Sequence, residues 1–169
     1  MSTTGNSAQS EEGGCTCRYI RYRMSGEPLF VHCCHCSWCQ RETGSAFVLN
    51  AMIESERVQL LEGEVQMVDT PSNSGRGQHV ARCPKCFVAL WSHYTGAGDA
   101  VSFVRVGTLD NPASYAPDVH IFTSTKQPWV QLPAAVPVFA EFYKPAEQWP
   151  KDSLARYAAL KAKHSPVKA

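Results

Sequence analysis

The sequence predicts a mainly β fold, stabilised by zinc, with a short C-terminal helix. Three observations lead there. Apolar and polar residues alternate at period two through most of the chain. Helical spacing is confined to the C-terminus. Eight cysteines gather in short groups spaced like metal ligands. At 169 residues the chain suits one domain able to bury a real core without staples.

Taken in order, "MSTTGNSAQSEEGG" lacks both the basic and the apolar regions of a signal peptide, and residues 1–12 read as a disordered tail. A domain over 13–143 follows, then a C-terminal helix and tail over 144–169. In "RYIRYRM", Ile20, Tyr22 and Met24 alternate with Arg21 and Arg23, as in a half-buried strand. "AFVLNAMIE" sets Phe47, Leu49, Ala51 and Ile53 on one side, and "VQLLEGEVQMV" reads as a hairpin turning near Glu62-Gly63. Further strands are expected at His79–Arg82, Val88–His93, Val101–Val106 and Val119–Ser124, between turn-rich links such as "TPSNSGRGQ" and "LDNPASYAPD". A short helical turn is expected after Cys39, stopping at Gly44. "AVPVFAEFYKPAEQWP" packs along the sheet; Asp152 or Ser153 then caps a helix with Leu154, Tyr157, Ala158 and Lys161 on one stripe.

Composition excludes several classes. Hydrophobic residues at 44% and charged ones at 18% are ordinary for a soluble domain, and a formal charge of +1 offers nothing to nucleic acid or an anionic membrane. Two zinc–thiolate sites, of four and three sulfurs, would move that total to about −2, further from a polyanion partner. No stretch approaches the ~20 apolar residues of a spanning helix. With no export signal the expected location is the cytoplasm, where eight cysteines serve metals or catalysis rather than disulfides. A homo-oligomer is compatible with all of this.

The cysteines sort by geometry. Cys15-Thr-Cys17 and Cys83-Pro-Lys-Cys86 supply four sulfurs from distant parts of the chain, enough to close a tetrahedral structural zinc. Cys34, Cys36 and Cys39 supply three, and three protein ligands with one vacancy describe a catalytic zinc. Cys33, one step from Cys34 on a strand, faces the opposite side as a core thiol. In the competing arrangement Cys33, His35 or His32 fills the fourth position and the site is inert. Three thiolates make zinc a weak Lewis acid, poor at generating hydroxide but able to hold a fourth thiol as thiolate. The matching reaction makes or breaks a carbon–sulfur bond on a small thiol.

The segments "GGCTCRYIRYR", "CHCSWCQRETGSAF", "RCPKC", "GTLDNP" and "PDVHIF", with Trp129, resemble in order the glutathione-dependent formaldehyde-activating enzyme family, which includes centromere protein V. The resemblance runs from about Gly13 to Phe142. It implies a zinc-bearing β-tent of antiparallel sheets and a carbon–sulfur lyase joining formaldehyde to glutathione as S-(hydroxymethyl)glutathione. It implies two zinc ions: a structural one on Cys15, Cys17, Cys83 and Cys86, and a catalytic one on Cys34, Cys36 and Cys39. The chain departs from the family pattern where Arg18 and Phe87 replace glycine after each structural pair, and where Gln40 replaces a basic residue.

Other residues carry paired readings. His120 is a candidate proton relay or a strand histidine satisfied by backbone. Thr43, Gly44 and Ser45 line the open site or end a helical turn. Trp129 and Phe47 wall a pocket or belong to the core. Arg76, Arg82 and Arg105 are candidate partners for substrate carboxylates, and Asp110 makes a turn. The favoured function is a zinc-dependent carbon–sulfur lyase or synthase, taking a small glutathione-like thiol and an aldehyde-like electrophile, with Cys34, Cys36, Cys39 and His120 at its centre. The rival is a non-catalytic, zinc-stabilised protein-binding module.

Overall fold

The computed structural model describes residues 10–95 and 98–164. These contain ten strands: β1 (Ser10–Gly14), β2 (Arg21–Ser25), β3 (Phe30–Cys34), β4 (Val48–Glu54), β5 (Val58–Glu62), β6 (Gln66–Thr70), β7 (Gln78–Arg82), β8 (Ala89–Tyr94), β9 (Val101–Arg105) and β10 (Val119–Ile121). The helices are α1 (Ser37–Thr43), α2 (Pro145–Gln148) and α3 (Lys151–His164). One sheet runs β1-β2-β5 and the other β10-β3-β4-β9-β8-β7-β6. The expected antiparallel arrangement holds at every strand pair except β3–β10, which run parallel. β10 is reached only after a long crossover, the connection a parallel pair requires.

Period-two patterning splits the larger sheet into two covered faces. From β4, Ala51 and Ile53 join Ile20, Tyr22 and Met24 in a core shared with the small sheet, where Tyr22 meets Trp91 edge-on at 5.4 Å. Val48 and Met52, the opposite set of the same strand, pack with Phe30, Ile121, Tyr143, Trp149 and Leu160 beneath the C-terminal segment. Each fully buried aliphatic side chain contributes roughly 1.5–3 kcal/mol. The molecule is thus three layers deep: small sheet, large sheet, C-terminal cover.

Several expectations need correction. β1 begins at Ser10, so Ser10, Glu11 and Glu12 lie in a sheet rather than in the tail; residues 1–9 of that tail fall outside the described residues. β5 and β6 do not form a hairpin: β5 pairs with β2 and β6 with β7. The chain does turn at Gly63, whose φ is 77° and where a Cβ would clash with the Tyr19 carbonyl oxygen, and the next strand lies in the other sheet. α1 starts at Ser37, before Cys39 rather than after it, and ends as expected at left-handed Gly44. α3 starts at Lys151, so Asp152 and Ser153 sit in its first turn and do not cap it. Its inner face carries Ser153, Tyr157 and Leu160, leaving Ala158 and Lys161 exposed. A bidentate Arg156–Glu54 pair (2.8 and 2.5 Å) fixes that rotation.

Candidate active site

Two knuckles form the first thiol cluster. Cys15 and Cys17 lie in a turn after β1, closed by the Arg18 amide donating to the Cys15 carbonyl at 3.0 Å. The Cys83–Cys86 turn between β7 and β8 closes likewise, through the Phe87 amide and the Cys83 carbonyl at 2.9 Å. Arg18 and Phe87 adopt left-handed φ values of 60° and 61°, the conformation that glycine enters without strain. All four sulfurs lie within 4.8 Å of one another. Cys15 Sγ is 3.5 Å from Cys17 Sγ, which is 3.7 Å from Cys83 Sγ. A tetrahedron with zinc–sulfur bonds of ~2.3 Å has edges of about 3.8 Å, so the cluster fits zinc. Amides of Ile20 and Lys85 point at Cys15 and Cys83 sulfurs (3.3 and 3.4 Å), as donors do around thiolates.

The second cluster lies on the opposite face of the large sheet. Cys34 ends β3, and extended Cys36 (φ −66°, ψ 147°) keeps the same parity and caps α1, which brings Cys39 round within its first turn. The three buried sulfurs lie within 4.8 Å of one another, and no fourth Cys, His, Asp or Glu joins them among the described residues. Cys34 and Cys39, donating to Cys36, pull its thiol down to about 3, aided by its backbone amide partners such as Cys39 N–H at 3.3 Å; Cys34 is pushed up correspondingly. A trio of buried, free cysteines with converging sulfurs is a donor set suited to zinc. Glu42 locks α1 to the sheet through Arg82 and through Arg105 (3.0 Å), and Arg105 also reaches Asn50.

Cys33 faces away, as expected. It belongs with His35 and His120 in a separate buried group: His35 Nε2 lies 3.4 Å from Cys33 Sγ and 3.0 Å from His120 Nδ1. This corrects the placement of His120. In the β3–β10 register His120 pairs with Cys33 and Ile121 with Cys34, so His120 sits on the far face from the thiol trio. Burial lowers the His35 and His120 pKa values, His35 to about 4.

A cavity of about 590 Å³ opens over Cys34, Cys36 and Cys39. His32 is part of its wall. Trp149 Nε1 donates to Tyr143 Oη at 2.7 Å, and Tyr143 Oη shares a hydrogen bond with His32 Nε2 at 2.7 Å. His32 Nδ1 is buried and has no hydrogen-bond partner among the described residues. Burial holds His32 neutral, with its pKa lowered to about 4.

Of the arginines, Arg76 lines the cavity, whereas Arg82 and Arg105 are engaged by Glu42. Thr43, Gly44 and Ser45 end α1 and do not line the cavity; Phe47 packs on His35, and Trp129 is 71% exposed. Asp110 pairs with Arg21 at 2.5 Å. Gln40, in place of a basic residue, donates to the carbonyls of His35 and Thr125 at 2.7 and 2.9 Å and fastens α1 to the segment after β10. Sequence reasoning missed Glu42, Gln78 and the aromatic wall of Phe122, Phe142 and Trp149. The aromatic density of "VFAEFYKPAEQWP" was the available signal for part of that wall.

Among the described residues no helix is long and apolar enough to cross a membrane. A comparison with curated proteins finds no match. The crystal structure of a Rhodobacter sphaeroides protein is similar, with a TM-score of 0.43 and 15% identity, over 59% of this chain and 87% of that one. The family model described as glutathione-dependent formaldehyde-activating enzyme matches residues 10–125. Spanning both thiol clusters and most of the large sheet, that match places the chain in the glutathione-dependent formaldehyde-activating enzyme family.

Proposed function

We propose that the protein is a zinc-dependent carbon–sulfur lyase or synthase that adds a small thiol to an aldehyde-like carbon, and runs the reverse reaction. The observation carrying this reading is the cavity over Cys34, Cys36 and Cys39, where three sulfurs converge with no fourth protein ligand among the described residues. Zinc bound to those sulfurs would act as a Lewis acid that lowers the pKa of a substrate thiol, so that it reacts as the thiolate. The apolar wall excludes water from the reacting carbon. Sulfur bonds to carbon, the carbonyl π pair moves to oxygen, and oxygen takes up one proton in place of the one the thiol gave up. No oxidant or reductant is needed. Cys15, Cys17, Cys83 and Cys86 hold the structural zinc, and we place the protein in a reducing, cytoplasmic setting.

The test is product formation from glutathione and a panel of aldehydes, formaldehyde included, by the zinc-loaded chain, followed by mass spectrometry. Metal content should be about two per chain, and Cys34→Ser should lower it to about one with at least a hundredfold loss of rate. Full activity in Cys34→Ser with one metal fewer would remove the catalytic role. X-ray absorption showing four sulfurs at both metals, unchanged by added glutathione, would favour the binding-module reading instead.

A further inference from the structure

We infer that the substrate taken by this cavity is a carboxylate-bearing thiol joined to a bulky apolar electrophile, an alkyl or aryl aldehyde rather than formaldehyde. The inference takes from the proposed function only that the cavity over the thiol trio is the substrate site.

The cavity has two chemically different ends. At the β10–β3 edge of the sheet, Phe122, Phe142, Trp149 and Tyr157 form an aromatic wall. Phe142 stacks on His32, with ring centroids 6.1 Å apart, and Trp149 on Phe30 at 5.7 Å. Phe142 also stacks on Tyr143 at 4.9 Å, yet the ring remains 54% exposed among the described residues. At the opposite edge, the β6–β7 connection and the start of β7 supply Arg76 and Gln78. The Arg76 guanidinium has no ion pair among the described residues. The buried Gln78 Oε1 has no hydrogen-bond partner among the described residues. A free cation and an orphaned acceptor call for a ligand with a carboxylate and an N–H donor, as in an amino-acid-like thiol.

The aromatic end calls for something else. A tripeptide thiol alone is polar along its length and offers those rings no apolar partner. Formaldehyde contributes one carbon and leaves that wall uncovered. A volume of about 590 Å³ suits a ligand of drug-like size with an apolar half. Moreover, Phe142, Trp149 and Tyr157 lie beyond residue 125, where the family match stops. Most of the apolar end is thus supplied by the segment after residue 125, set on the thiol-bearing floor.

Calorimetric titration of the zinc-loaded full chain with S-methylglutathione and S-hexylglutathione tests this without requiring turnover. S-hexylglutathione should bind at least tenfold more tightly, since each buried methylene contributes favourably. Phe142→Ala should narrow that ratio to about threefold, and Arg76→Gln should weaken both probes about fivefold, as expected for a partly exposed ion pair. Equal affinities for the two probes, or binding of neither, would overturn the inference. A retained hexyl preference with no turnover of any aldehyde would sink the enzymatic reading and leave only the cavity's preference for an apolar-tailed ligand standing. Formaldehyde turnover with equal probe affinities would do the reverse.

Discussion

At the scale of single residues, two of the three non-glycine residues with left-handed φ among the described residues sit beside the structural thiol cluster, the third being Phe122. Arg18 and Phe87 hold φ near +60° directly after the two cysteine pairs. A side chain in that region costs roughly 1–2 kcal/mol, partly offset because glycine loses about 0.5–1 kcal/mol more backbone entropy on folding. Phe87 is largely exposed, so its ring contributes little packing in return. Phe87→Gly and Arg18→Gly should therefore each stabilise the protein by about 0.5–1 kcal/mol, read as a higher urea midpoint at constant slope. A lower midpoint for both would show that these side chains make compensating contacts. The same scale explains His120: one position of strand parity separates the face of Cys33 from that of Cys34, and spacing alone does not say which neighbour a distant strand will adopt.

At the scale of elements, α1 matters most, because its first turn delivers Cys39 to the other two sulfurs. Its anchor is Glu42, whose side chain is 6% exposed and faces Arg82 and the equally buried Arg105. Removing one member of a buried ion pair leaves the other charge uncompensated. Glu42→Ala should cost about 3 kcal/mol, lowering the melting temperature by roughly 6–12 °C for a domain of this size. A shift below about 1 kcal/mol would mean that water replaces the carboxylate and the clamp is dispensable. α3 is attached by a similar device, Arg156 on Glu54, which rotates the helix away from the stripe its own spacing suggests. Tertiary ion pairs overrode the local pattern there.

At the scale of the whole molecule, acid sensitivity follows from the buried imidazole of His32, lowered by burial to about 4. In the unfolded chain it titrates near 6.5, so the neutral fold keeps its full stability above that value. Stability then falls as pH drops from about 6.5 toward 4, because only the unfolded state takes up the proton; by pH 5 the loss is about 2 kcal/mol. Urea unfolding across this range should show a pH slope shallower by about one proton in His32→Gln than in the parent, a difference to which the metal sites contribute equally in both. An unchanged slope would mean that His32 already carries charge in the fold.

Much of this architecture was legible beforehand. Alternation in "RYIRYRM" and "AFVLNAMIE" located β2 and β4, and cysteine spacing sorted the four-sulfur group from the three-sulfur group that the structure brings together. What escaped was relational: β5 and β6 lie in different sheets, Gln78 faces the cavity, and a C-terminal segment roofs it. Such facts depend on which surfaces meet, and no local period encodes them.

The roof has a consequence for how such proteins can diversify. Because the metal-gripping floor and the aromatic cover come from successive, non-interleaved stretches of chain, the cover can be exchanged while the floor is left untouched. Chemistry and selectivity are thereby separable parts, and a chimera carrying a foreign tail on this floor should inherit the donor's preference while keeping the host's reaction.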